Sequence, residues 1–221
     1  WSSSIVDKCI ISNVKEGYGT YCSIDTCNAV IKNSIIITNN VLDAYGIRIQ
    51  GGGNNSYNNI VLVKNGNSIV RKGIGVEFDA KENIIKNNLV SGFRTNIEGL
   101  SSISAIVENN ISLFGNEKGY TANALTNMRN NISSFNNIGL SYPTVLNTDY
   151  NLYFQNSINT TGQLAEHDIV ADPMFVNDTI PVYGGSYNYH LQKYSQAIDA
   201  GDPNILDVDG SRSDIGMFGG P

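Results

Sequence analysis

A short pattern returns along this chain at steps of 20–29 residues, so the chain must fold by stacking one copy upon the next. Each copy centres on an Ile or Leu: Ile10, Ile35, Ile60, Leu89, Ile111, Ile132 and Leu152. The residue before the anchor is Asn in five of the seven copies, at Asn59, Asn88, Asn110, Asn131 and Asn151. The residue before that is Asn in another five, at Asn33, Asn58, Asn87, Asn109 and Asn130. Four positions ahead of the anchor stand Val6, Ile31, Ser56, Ile85, Val107, Met128 and Thr148, five of them apolar. Three aligned columns of matching chemistry describe one coil of a solenoid, a fold stabilised coil upon coil.

The segments around the anchors are short and β-branched, such as Ile35-Ile36-Ile37-Thr38 and Ile60-Val61-Leu62-Val63. They predict strands rather than helices. Successive coils then lie about 4.8 Å apart, the spacing of hydrogen-bonded strands. Asn suits the turn because it tolerates a left-handed backbone, and stacked Asn amides can bond to one another where water is excluded. The pattern predicts one buried row of seven anchors with an Asn column beside it. Asn-x-Ser/Thr sequons occur at Asn54, Asn110, Asn131, Asn159 and Asn177. Asn110 and Asn131 fall in the buried column, so they are not read as glycan sites, and in so Asn-rich a chain most sequons arise by chance.

A second strand per coil follows, often opened by Gly, as in Gly46-Ile47-Arg48-Ile49 and Gly75-Val76-Glu77-Phe78. Aligning these places Tyr21, Arg48, Glu77, Glu98 and Thr121 in one outward column. Ser23, Gln50, Asp79, Leu100 and Asn123 form its neighbour. Extra length at residues 51–55 and 64–72 predicts loops that wall one side.

Composition narrows the partners. Only 15% of residues are charged, the net charge is −6 and the pI is about 4.8. The lack of a basic stripe argues against nucleic acid or an anionic membrane as a partner. No apolar run reaches the length of a transmembrane segment. Trp1-Ser2-Ser3-Ser4 leads straight into repeat sequence without a signal peptide, so the chain reads as a mature fragment without its N-terminal cap. Of the three cysteines, Cys22 and Cys27 are close enough for a loop disulfide, but Cys9, Cys22 and Cys27 read equally well as thiols.

The coils occupy residues 1–155. Residues 156–221 carry the last of them and an irregular C-terminal cap within the same domain. That segment holds Asp172-Pro173-Met174-Phe175, Tyr189-His190-Leu191 and Ser195-Gln196-Ala197-Ile198-Asp199-Ala200-Gly201-Asp202-Pro203, and closes on Asp207 to Pro221. Asp199, Asp202, Asp207, Asp209 and Asp214 crowd it. They read as Asx-turns plus an Arg212 ion pair closing the open end of the solenoid, in preference to a Ca²⁺ site.

The repeat resembles the right-handed parallel β-helix of pectate lyases and related carbohydrate-active proteins. The tail resembles the C-terminal module common in secreted and surface β-helix proteins, with Gln196 standing where that pattern usually has proline. The resemblance implies an all-β, right-handed solenoid of about seven coils, found outside the cell or on its surface, with a polysaccharide as partner. If the chain is an enzyme, a uronate lyase comes first. Such an enzyme needs a base, for which Arg48, Lys81 or Arg94 is the candidate, and a cation, for which Glu77 and Asp79 are candidate Ca²⁺ ligands. Tyr21, Gln50 and Arg94 are candidate substrate contacts. A glycoside hydrolase comes second, since Glu77 and Asp79 would lie about 7 Å apart, a separation suited to inversion. The Gly-His-Gly and Arg-Ile-Lys signatures of polygalacturonases are absent, as is the Asp-Pro-His-Asp of alginate epimerases. His167 and His190 lie in the tail and read as structural. A non-catalytic adhesion or cell-envelope protein, or the C-terminal part of a larger enzyme, fits the same features.

Overall fold

The structure, a computed structural model, describes residues 4–14, 18–23, 29–39, 45–50, 53–64, 72–77, 82–100, 104–142 and 147–221. Three parallel sheets of seven, eight and seven strands run along it. Each coil gives one strand to each sheet, as Val30–Lys32, Ile35–Thr38 and Tyr45–Gln50 do in the second coil. No helix occurs among the described residues. This is the parallel β-helix the repeat predicts. A small antiparallel pair, Phe175–Asn177 with Asn188–Leu191, lies in the tail.

The corner between the first and second sheets explains both Asn columns. Lys8, Asn33, Asn58, Asn87, Asn109, Asn130 and Tyr150 all adopt left-handed backbone, with φ between 52° and 56°. The Asn that follows turns inward and forms a ladder. The N–H of Asn59 donates to Oδ1 of Asn88 at 3.1 Å, that of Asn88 to Asn110 at 3.0 Å, and that of Asn110 to Asn131 at 3.0 Å. Asn131 donates in turn to Asn151, and Asn151 to the Asp168 carboxylate at 2.8 Å. Burial pushes the Asp168 carboxyl above its usual range, while N–H groups of Asn151 and Ala165 pull it back.

The seven anchors stand in one register, from Ile10 through Leu152. They do not line the interior. Inside the coils lie the residues one step later, Ile36, Val61, Val90 and Tyr153, with Ile31, Ile85, Val107 and Met128 from the first sheet and Ile47, Ile74, Ile97 and Tyr120 from the third. The anchor row faces outward and packs against Phe175, Tyr189, Ala197 and Ile215 of the tail. Burial of the row therefore follows the tail: Leu89, Ile111, Ile132 and Leu152 are at most 1% exposed, whereas Ile10 is 60% exposed.

The tail, expected to close the open end of the solenoid, instead runs back along the outer side of the second sheet. The left-handed Asn column holds it there. Asn87 Nδ2 donates to the carbonyls of Met217 and Gly219, and Asn109 Nδ2 to that of Asp214. Asn130 accepts the Asp202 N–H on its side chain and the Gly216 N–H on its carbonyl. At Gly216, with φ of 111°, an added Cβ would lie 2.7 Å from Ile132 Cδ1, so only glycine lets the tail sit this close. Arg212 is not placed on an aspartate as expected. It donates to the carbonyls of Ala200 and Gly201 and lies over the Tyr150 ring, while Asp202 pairs with Arg129.

Two residues of one row should therefore behave differently. Ile111→Ala is expected to cost about 2–5 kcal/mol in chemical denaturation, whereas Ile10→Ala should change stability by no more than about 0.5 kcal/mol. Asn110→Ala, which strands the buried N–H of Asn88, should cost about 1–3 kcal/mol.

Candidate functional site

The outer face of the third sheet gathers the richest polar chemistry. Ile47 and Ile49 point into the coils, so Arg48 between them points out. In the two following coils, Gly75 and Glu98 occupy the same position, and Thr121 follows. Tyr45 lies on this outer side, against Gly75. The Arg48 guanidinium stands 5.3 Å from the centre of the Tyr45 ring, and Lys72 Nζ stands 5.4 Å from it. Lys72 also pairs with Glu98 at 2.5 Å. Gly75 gives the cluster room: an added Cβ would be 3.0 Å from Lys72 Cδ and 3.3 Å from the Tyr45 ring.

The cluster is thus one aromatic ring flanked by two cations, with a carboxylate beside one of them. Although Tyr45 and Glu98 face outward, they are only 3% and 9% exposed. Charge-assisted contacts are strengthened where water is partly excluded. Such a surface can bind a carboxylate or hydroxyls through Arg48.

The sequence-derived candidates are distributed as follows. Tyr21 is in register with Arg48, as expected. Glu77 is not: it lies in register with Gln50 and Leu100, two residues further along the strand. Ser23, Gln50, Glu77 and Leu100 therefore form the neighbouring column by backbone register. Asp79 and Lys81 lie outside the described residues. Arg94 sits at the corner before the third sheet, where Nε and Nη2 donate to Glu117 Oε1 at 2.9 and 2.6 Å. Both partners are nearly half exposed, so this pair contributes little to stability. Tyr45 and Lys72 were missed. Their signal lies in the residue just before the corner glycine in Tyr45-Gly46 and Lys72-Gly73, a position that strict alternation does not assign to the outer face.

Among the described residues, no group of three His, Cys, Asp or Glu side chains is placed to hold a metal. The tail aspartates serve as turn acceptors instead: Asp207 accepts N–H groups of Gly220 and Asp214, and Asp209 that of Ser211. Cys9 is an exposed free thiol. The side chain of Cys22, and Cys27 altogether, lie outside what is described.

A second titratable cluster stands where the last coil meets the tail. His167 Nδ1 contacts Asp149 Oδ2 at 2.8 Å, and the His167 ring stacks on Tyr150 with centroids 4.5 Å apart. Arg212 covers the same Tyr150 ring. The bond from Asp149 holds the His167 pKa above its usual value, and the histidine holds the Asp149 carboxyl low against the opposing effect of burial. His190 stacks on Phe218 instead, with centroids 3.8 Å apart.

The raised His167 pKa means that its contribution is complete below pH 6.5 and fades as pH rises through the folded value. The lowered Asp149 pKa means that its own contribution fades as pH falls below 3.8 and through the folded value. The contact is therefore strongest in the mildly acidic window between. In an NMR titration His167 should titrate above 6.5, and Asp149→Asn should remove that rise.

No family model matches the chain, and no curated protein matches it. A solved structure that does match is the crystal structure of pectate lyase Pel9A, with a TM-score of 0.57 and 16% sequence identity over 98% of this chain. The chain spans 63% of that lyase's length. At this identity the likeness is one of fold: the chain is a parallel β-helix, as that lyase is.

Proposed function

We propose that the chain binds an acidic polysaccharide along the outer face of the third sheet, as a secreted or surface-displayed protein. The observation that carries this reading is the outward cluster of Tyr45, Arg48, Lys72 and Glu98. Arg48 pairs with a carboxylate or hydroxyls of the polymer, and the strip extends to Tyr21, in register one coil earlier, and to Gln50, two residues further along the strand. The coil spacing of about 4.8 Å lets a polymer meet similar groups in successive coils. The fold likeness to a lyase agrees with this class of ligand.

β-Elimination is the reaction to test first. It requires a base at the proton beside the uronate carboxylate and a cation on that carboxylate. Arg48 is the candidate for the first role, since it points outward beside the Tyr45 ring. Glu77 and Asp79 are the candidates to hold a Ca²⁺ ion, which would supply the second by neutralising that carboxylate. Binding without cleavage is favoured by a different observation: Lys72 and Arg94 are each held by a glutamate in the described structure.

The experiment is a panel of polygalacturonate, alginate and a neutral xylan, assayed for binding and for ultraviolet-absorbing unsaturated product, with and without Ca²⁺. The parent is expected to bind an acidic polymer. Arg48→Ala combined with Glu77→Gln should weaken that binding about tenfold or more. Product that depends on Ca²⁺ supports the lyase; binding without product supports the non-catalytic role. A double variant indistinguishable from the parent removes the strip from consideration.

A further inference from the structure

We propose that the corner between the second and third sheets in the last three coils is a separate binding cleft for an uncharged sugar unit. The cleft has a volume of about 390 Å³ and is lined by Phe114, Phe135, Asn116, Asn137 and Gln155, with Ile180 of the tail at its edge. That size lies within the range of about 300–1,000 Å³ usual for small-molecule sites.

Three observations converge on this ligand. The first is backbone strain. Phe114, Phe135 and Gln155 have φ of 53°, 59° and 49°, in the left-handed region. One coil earlier the same register position is Gly92, with φ of 87°. Glycine meets the demand of this corner without strain, so the later coils hold aromatic and amide side chains there against a backbone preference. The second is the aromatic surface. The Phe114 and Phe135 rings stack 5.0 Å apart and are only partly buried by the tail. A pyranose presents a C–H face that packs on such apolar rings. The third is the polar complement. Asn137 and Gln155 are exposed amides whose side chains carry both donors and acceptors, which is what sugar hydroxyls require. Among the described residues, no charged side chain lines the cleft. A carboxylated sugar would find no partner for its charge there.

The cleft belongs to coils five to seven, whereas the strip around Arg48 belongs to coils one to four. The two can therefore be tested apart. The probes are cellohexaose, xylohexaose, mannohexaose and hexagalacturonate, each titrated into the isotope-labelled chain and followed by amide chemical shifts. A neutral hexamer is expected to shift the amides of Gly115, Asn116 and Asn137. Asn137→Ala combined with Gln155→Ala should weaken its binding about tenfold or more, with no change in thermal midpoint. Phe135→Leu, which keeps an apolar contact to the tail, should weaken binding in the same direction. Arg48→Ala should leave it unchanged. Three results overturn the proposal: no neutral hexamer shifts these amides at millimolar concentration, the double variant binds as the parent does, or hexagalacturonate shifts them at least as strongly.

Discussion

The structure depends on how the first corner of each coil satisfies its backbone. A left-handed residue reverses the chain there, and the next N–H is buried with no strand partner. In the ladder that N–H donates to the Asn side chain of the following coil, while Nδ2 groups such as those of Asn110 and Asn131 donate to nearby carbonyls. An unpaired buried amide is destabilising, so each rung makes the next coil necessary. The ladder ends on Asp168, whose carboxylate accepts what a further Asn would accept. At the other end Ser34 takes the place of Asn and reaches Cys9 N at 3.2 Å.

The same corner has an outward side, and the tail uses it. Asn87, Asn109 and Asn130, placed there for their left-handed backbone, also bond the returning segment. That segment covers the second sheet over the later coils, whereas the third sheet carries its own outward chemistry. The polar cluster of Tyr45, Arg48, Lys72 and Glu98 is on that face. A missing side chain gives it room: at Gly75 an added Cβ would press on the Lys72 stem at 3.0 Å and on the Tyr45 ring at 3.3 Å.

Much of this was legible in the sequence. The anchor register, the Asn ladder, the strand character and the apolar column from Val6 to Met128 follow from chemistry repeated once per coil. The alignment of Arg48 with Glu77 did not hold, for a specific reason. Lys72-Gly73-Ile74-Gly75-Val76-Glu77 contains two glycines two residues apart. Either choice keeps alternation intact, because side chains repeat every second residue. Packing decides between them. A Cβ at Gly46 would lie 2.2 Å from Val61 Cγ1, and one at Gly73 would lie 2.2 Å from Val90 Cγ1, so these two are the equivalent corner residues.

The sequence by itself determined that this chain is a parallel solenoid and which residues stack on which, because stacking imposes the same demand on every coil. Only the tertiary structure decided which apolar column lies inside. A left-handed turn interrupts the alternation that would carry inside and outside from one strand to the next, so Ile111 and its row read as core. They are core of a second kind, between the coils and a tail that returns from more than a hundred positions away in the chain. Contacts of that range leave no period in the sequence.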